Sequence, residues 1–527
     1  MALLAAILGS FVAGLDATAV NVALPAIEKD LGGGLAGQQW VSNAYLLTLG
    51  SLILVGGSLG DLYGERRIFT LGVVGFGVVS VICALAPSIE VLVAGRALQG
   101  VFGALLMPSS LAVIVASFPR QERGAAIGSW TAWGGIALVI GPLAGGWLID
   151  VATWRWIFAI NVPFVIATVI IVRMAVSDRP REGPRVHLDY LGATLCALGL
   201  AGPVFALIRQ PSVGWGSPEV LVPALVGVAM LVLFVLHEAR TEHPMLPLGL
   251  FRRRNFTVGN VETLLMYGGL SAVIFFLVLF LQQVAGYDAL QAGLATLPIT
   301  IVMFTLSRRA GRMADRYGPR WFMGGGPLVA AVGLAMLQRM DADVDYVTEL
   351  LPALLLFSLG LSATVAPLTA TVLADADENN AGIASGVNNA IARVAGLLAV
   401  AALGAVVAGQ FATTIDERLA GEQLSPAAQE VVREAKDRTL TTVDPVGLPA
   451  GEAVTVSRAA EDASVTAFHR GVGIAAALVA LGGVLGLLGI RNPRREVPCE
   501  GCPGGALAGA PLEAARSPGR VPAATPA

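Results

Sequence analysis

Gly57 to Arg67 reads GSLGDLYGERR, and Gly311 to Arg320 reads GRMADRYGPR. Both stretches carry glycine, three residues, aspartate, two residues, glycine: Gly57, Asp61 and Gly64 in the first, Gly311, Asp315 and Gly318 in the second. Each lies between two apolar runs, and equivalent positions are 315 − 61 = 254 residues apart. A charged corner repeated inside an apolar chain says that one folding plan is used twice, a pattern found in secondary transporters.

Composition points the same way. The chain of 527 residues is 55% hydrophobic and 13% charged, with a mean hydropathy of +0.73, where a soluble domain carries about 25% charge. Its 63 glycines suit membrane helices, which use small residues for close approach. Most of the chain is therefore expected in the lipid bilayer. A net charge of −3 gives no reason to expect a nucleic-acid partner. Cys83 and Cys196 fall in apolar runs and read as small core residues. Cys499 and Cys502 form a lone CxxC in a polar tail, short of the four ligands a structural zinc needs. The opening Met1 to Leu24 lacks a basic flank and a cleavage site, so it reads as a first spanning helix, whose true start could lie upstream.

About fourteen runs approach the ~20 apolar residues of a spanning helix. They cover 3–25, 40–60, 66–86, 88–117, 124–149, 155–176, 189–209, 218–237, 257–281, 291–314, 321–338, 349–373, 383–408 and 469–490. The corners follow the second and tenth runs, a shift of eight. Arg123-Gly124 with Gly128, against Ala381-Gly382 with Gly386, repeats that shift at the fifth and thirteenth runs. The expected architecture is all-α, as six plus two plus six helices. Residues 1–176 form one bundle, 177–250 an inserted pair with its linkers, 251–490 a second bundle, and 491–527 a disordered tail. Arginines gather in the loops after even-numbered runs, such as Arg66, Arg67, Arg120, Arg123, Arg308 and Arg312. The positive-inside rule puts those loops and both termini in the cytoplasm; the acidic DADENN after the twelfth run is the one exception. The loop 410–468 then lies outside. It holds ten acids and five bases, with Ser425-Pro426 opening a short surface helix over 426–438.

Certain polar residues stand where lipid makes them costly. Asp16 lies inside the first run and Glu262 about two turns into the ninth, beside Asn260; an intramembrane carboxylate is a functional candidate by default. Both are candidates for proton coupling, and each has a structural alternative. Arg96, with Gln99, Gly95, Gly100 and Gly103, puts a permanent charge in the fourth run that can hold a carboxylate or glue helices together. Asp61 stands where it can cap a helix or pair with Arg66 or Arg67, while Gly57 and Gly64 allow close approach and a tight turn. Arg393, beside Asn388 and Asn389, is placed at the cytoplasmic gate. Arg155 is offered Asp150 as a partner. Phe275, Phe276 and Phe280 read as lipid-facing or packing residues.

The corner, the helix-one stretch LDATAVNVALPAI (Leu15 to Ile27), GRALQGVFGALLMPSS (Gly95 to Ser110), GPLAGG (Gly141 to Gly146) and WRWIFAINVP (Trp154 to Pro163) together resemble the fourteen-helix drug:proton antiporter group of the major facilitator superfamily. The resemblance runs from the first to the last helix. It departs at Leu62 and Glu65, where basic residues are usual, and at Ala137, where glycine is. It implies a cytoplasmic latch at Gly57, Asp61, Gly64, Arg66, Gly311, Asp315, Gly318 and Arg393. Gly141, Pro142, Gly145 and Gly146 would be the antiporter motif, common among exporters. It further implies a monomeric plasma-membrane protein exporting hydrophobic, cationic or amphipathic small molecules against protons. The alternatives are a proton-coupled importer of the same fold and an exporter of one dedicated metabolite. No cofactor is expected, since the chain has no Walker loop. Its four histidines, His187, His237, His243 and His469, fall at helix ends or loops, which argues against a membrane-embedded enzyme.

Overall fold

A computed structural model describes residues 1–118, 120–175, 189–242, 244–374, 381–443 and 447–492. Helices carry all of its regular structure, and no strand occurs among the described residues. In chain order they are α1 (Ala2–Leu31), α2 (Gly34–Tyr63), α3 (Glu65–Ala84), α4 (Ile89–Ser117), α5 (Arg120–Val151), the short α6 (Trp156–Ala159), α7 (Asn161–Ala175), α8 (Tyr190–Val213) and α9 (Pro218–Glu238). Then follow α10 (Arg254–Gln283), α11 (Ala289–Tyr317), α12 (Pro319–Met336), α13 (Leu351–Ala374), α14 (Ala381–Arg418), α15 (Pro426–Arg438) and α16 (Ala450–Gly489). Twelve spans among the described residues are long and apolar enough to cross a membrane. The expected count of fourteen includes α2 and α5, of 30 and 32 residues, which are not among the twelve. Gln38, Gln39, Ser42 and Asn43 dilute the front of α2. Arg179, Arg181, Arg185, His187, His243, the DADENN acids from Asp375 on, Cys499 and Cys502 lie outside the described residues.

Helices α1 to α7 pack on one another, as do α10 to α14 with α16, while the α8–α9 hairpin lies against α2 and α14. Lipid offers the backbone no hydrogen bonds, so every spanning segment closes its own. The α8–α9 hairpin is peripheral because α9 is apolar almost all round, with only 17% of its apolar window buried. Leu200, Val204 and Ile208 of α8 meet Leu397 and Ala401 of α14 in one cluster.

Both corners turn on glycine. Gly64 ends α2 at φ 94° and Gly318 ends α11 at φ 93°, in a region that excludes side chains. The second glycine of each corner thus makes the turn. The first does less than expected: a Cβ at Gly57 would stand 3.7 Å from Pro108 Cβ, an ordinary contact. The close approach belongs to its neighbour, since a Cβ at Gly56 would overlap the Ala104 carbonyl oxygen of α4. We call the end of the molecule with Gly64 and Gly318 the corner face and the opposite end, with α15, the cap face.

The segment 410–468 is more helical than the hydropathy suggests. Helix α14 continues to Arg418 and α16 begins at Ala450, well before the expected start at 469. Phe411, Ile415 and Leu419 join Val456, Ala459, Ala460 and Ala463 in one apolar cluster, and the intervening acids hide that helical spacing from a hydropathy average. Helix α15 falls where Ser425-Pro426 places it, with Ser425 Oγ accepting from Ala428 N at 3.3 Å. Phe275, Phe276 and Phe280 are core, not lipid-facing, and Phe280 stacks on Phe468 at 4.3 Å.

Adjacent glycines give a test of this packing. Gly56→Ala is expected to lose about 1–3 kcal/mol through overpacking against α4, while Gly57→Ala stays within about 0.5 kcal/mol. Thermal unfolding of both variants in detergent measures the difference; equal melting temperatures would contradict the α2–α4 geometry.

Candidate functional site

Asp16 and Arg96 meet in the middle of the first bundle. Arg96 Nη1 donates to Asp16 Oδ2 at 2.6 Å, with side-chain exposures of 2% and 0%. Burial of such a pair is tolerable only if the remaining donors and acceptors are also used. Arg96 Nη1 also donates to Gln99 Oε1 at 2.7 Å, and its Nε to the Val41 carbonyl at 3.1 Å. Asn161 Nδ2 donates to Asp16 Oδ1 at 2.9 Å, and Gln99 Nε2 to Ser80 Oγ at 2.9 Å. The guanidinium lies 4.4 Å from the Tyr45 ring centroid and 5.8 Å from that of Phe158, on whose faces a cation is favoured. Five elements, α1, α2, α3, α4 and the start of α7, thus share one buried polar cluster.

Helix α1 carries both this pair and the residues that a glycine seam closes on. At about 100° per residue, Thr18 lies about 160° round the helix from Asp16, Leu15 about 100° and Ala19 about 60°. A Cβ at Gly141 of α5 would overlap Thr18 Oγ1, and one at Gly145 would stand 3.0 Å from Ala19 Cβ. The next glycine crosses to the other bundle: a Cβ at Gly146 would lie 2.6 Å from Leu290 Cα of α11. Pro142 lends its carbonyl to the same crossing, 2.7 Å from where a Cβ of Gly293 would be.

Further bonds tie the bundles toward the cap face. Gln39 Nε2 donates to the Val400 carbonyl at 2.7 Å, and Gln282 Nε2 to the Val22 carbonyl at 3.0 Å. Asp150 is not the partner of Arg155: its Oδ2 accepts from Leu290 N at 3.0 Å, capping α11 from the opposite bundle. Arg155 pairs with Asp30, which also accepts from Trp154 Nε1. Arg438 at the end of α15 reaches Glu28 of α1 at 3.5 Å. The halves are therefore clasped at the cap face.

The other candidates lie apart. Glu262 is fully buried on α10, and neither carboxylate oxygen has a protein partner. Its Oε2 lies 2.9 Å from where a Cβ of Gly486 on α16 would be, so it sits inside the second bundle and not with Asp16. Asn388 donates to Asn260 Oδ1 and Thr263 Oγ1 at 3.1 and 2.8 Å, binding α14 to α10 nearby. Arg393 lies twelve residues into α14, its Cβ 3.3 Å from a Cβ position at Gly50 on α2. Asp315 is exposed on the second corner, Arg66 is partnered, and the side chain of Asp61 lies outside the described residues. Ser80, Asn161, Tyr45 and Gln39 are not singled out as site residues by the sequence. Asn161 and Gln39 were visible as polar residues in or beside apolar runs; Ser80 and Tyr45 gave no signal. Gln38, Ser42 and Asn43 add buried polar atoms on α2 without protein partners, groups that usually take internal water.

The sequence matches the Major Facilitator Superfamily over residues 6–400. It is 38% identical over 422 residues to the puromycin resistance protein pur8 of Streptomyces alboniger, covering 79% of this chain and 82% of that protein. It is 32% identical to the tetracenomycin C resistance and export protein of Streptomyces glaucescens, covering 90% and 87%. The structure resembles a bacterial homologue of the human lysosomal transporter Spinster in an inward-facing conformation, with a TM-score of 0.62, 17% identity and coverage of 93% and 98%. It also resembles the inward-open xylose transporter XylE of E. coli, with a TM-score of 0.56, 13% identity and coverage of 94% and 97%.

A double-mutant cycle tests the buried pair. Asp16→Asn and Arg96→Gln are each expected to cost roughly 3–5 kcal/mol by stranding a charge or its donors. The double variant should cost clearly less than their sum. Additive melting shifts in detergent would show that the two side chains do not depend on each other.

Proposed function

The chain belongs to the major facilitator superfamily, and from that premise we propose that it exports hydrophobic or amphipathic antibiotic-like molecules across the plasma membrane in exchange for protons. It is a membrane transporter and not an enzyme. The reading extends to α2 and α5 as spanning helices, which makes fourteen in a six, two, six order. Both termini and the corner face lie in the cytoplasm, and the protein works as a monomer. The resistance and export named for the similar Streptomyces proteins, together with GPLAGG on α5, favour export over import.

The observation that carries the mechanism is the double role of α1, which bears Asp16 and also the residues Thr18 and Ala19 that the α5 glycines Gly141 and Gly145 close on. With the cap face clasped, cargo enters from the cytoplasm. A proton reaching Asp16 from outside, along the polar strip of Gln38 and Ser42, neutralises the carboxylate and strands the Arg96 guanidinium. An unpaired buried charge costs several kcal/mol, enough to shift a two-state equilibrium by orders of magnitude. Relief comes from moving α1, and α5 follows because Gly141 and Gly145 allow no gap. The Gly146–Leu290 contact then parts and the cap face opens. Glu262, isolated in the second bundle, is the second candidate for the proton.

Dye export by everted vesicles tests this reading. The wild type should lose export when the pH gradient is collapsed, and Asp16→Asn should abolish gradient-driven export while the protein still inserts and stays monodisperse. Retained coupling in that variant moves the proton to Glu262. Gly146→Val is expected to wedge the cap face apart. It should raise labelling of a cysteine at Gln39 by an impermeant maleimide and reduce export at least several-fold; unchanged labelling would refute the seam as the outer closure.

A further inference from the structure

We propose that the second bundle holds a phospholipid through its phosphodiester, in a groove on α16 at the cap-face headgroup level. A cavity of about 460 Å³ is lined by Gln338, Gln410, Thr466, His469 and Arg470, with Gly473, Ile474 and Ala477 below them. No carboxylate is among the lining side chains. Arg470 has no hydrogen-bond or ion-pair partner among the described residues, in contrast to Arg418 nearby, which pairs with Asp462. His469 donates its Nε2 proton to the Met340 carbonyl at 2.7 Å, which fixes the ring and leaves Nδ1 free. The Gln338 amide and the Thr466 hydroxyl add neutral donors, and Gln410, whose Nε2 donates to Thr414 Oγ1 at 3.1 Å, has a second N–H to offer. A guanidinium with amide and hydroxyl donors, and no acid, is the chemistry of a phosphate.

Depth decides between a lipid and a free anion. The inner end of α16 is marked by Arg254, whose Nε and Nη2 donate to the Gly489 and Leu488 carbonyls. Arg470 lies nineteen residues above Gly489, about 29 Å along a helix, which is the thickness of the hydrocarbon layer. The cavity is therefore level with the headgroups of the opposite leaflet. Below Arg470, on the same helical face, come Ile474, Ala477, Leu481, Val484 and Leu488. Leu481, Val484 and Leu488 are 49%, 41% and 68% exposed. A phosphate on Arg470 continues into an apolar track that fits acyl chains; a soluble anion has no use for that track.

The inference concerns the resting protein in its membrane and does not depend on the direction or energy source of transport. Delipidated full-length protein is mixed with micelles doped with phosphatidylglycerol, with diacylglycerol as a comparator that lacks phosphate, or with inorganic phosphate. Retained lipid is counted by native mass spectrometry. Saturable retention of phosphatidylglycerol over diacylglycerol is expected, falling roughly tenfold in Arg470→Gln, the scale of one charge-assisted hydrogen bond. Arg418→Gln, outside the cavity, should retain it like the wild type. Arg470 is exposed, so its substitution is not expected to unfold the chain, and a second variant, Ala477→Asp, blocks the track without touching the cation. Equal retention of diacylglycerol, or retention untouched by both cavity variants, overturns the site. Displacement by millimolar phosphate overturns the lipid and leaves a soluble anion.

Discussion

A carboxylate and a guanidinium, both almost without exposure, hold the first bundle in one arrangement. Neither Asp16 nor Arg96 can be kept charged in that place alone. Each is tolerated because the other is there and because Gln99, Asn161 and the Val41 carbonyl supply further hydrogen bonds to the two groups, with Ser80 accepting from Gln99 behind them. The pair draws on five elements, so a change in its charge cannot stay local. That property suits a transporter, where binding must alter the positions of whole helices and not just one side chain.

Glycine converts this local electrostatics into a connected framework. Membrane helices gain little from hydrophobic contact with each other, since lipid is equally apolar, so close van der Waals fit has to supply the association. At Gly56, Gly100 and Gly141 the neighbouring helix occupies the space a Cβ would need. Gly146 does the same between the two bundles. Contacts of this kind have no slack, and they transmit displacement in a way that interlocking long side chains do not. The cap-face bonds of Gln39, Gln282 and Asp150 to backbone groups differ in kind: each is one hydrogen bond, individually modest and readily exchanged for water. A closure built from such bonds above a rigid seam can open without dismantling either bundle.

The outer segment shows how burial can defeat hydropathy. Acids and bases between Gln410 and His469 dominate the average, yet α14 and α16 run on through it by burying alanine, valine and phenylalanine on one side. Helix α15 adds a second tie, from Arg438 to Glu28, and the turn at Gly34 lies directly under the Asp437 carbonyl. The cap therefore belongs to the second bundle by sequence and touches the first by contact.

Sequence alone determined the membrane setting, the helical class and the glycine turn at each corner. These depend on composition, on period and on backbone freedom, all of which are local. That Asp16 and Arg96 need partners and the GPLAGG glycines close neighbours was also legible, because a charge or a run of small residues in lipid needs a reason. Only the tertiary structure decided who meets whom. It gave Asp150 to α11 and Asp30 to Arg155, moved the close approach from Gly57 to Gly56, set Glu262 apart from Asp16, and brought Arg393 of α14 against Gly50 of α2. Partners such as Gln99 and Asn161 lie 83 and 145 residues from Asp16, and such pairings depend on how helices are rotated and stacked. That rotation is decided by the sum of many contacts across the bundle, which no spacing within one helix encodes.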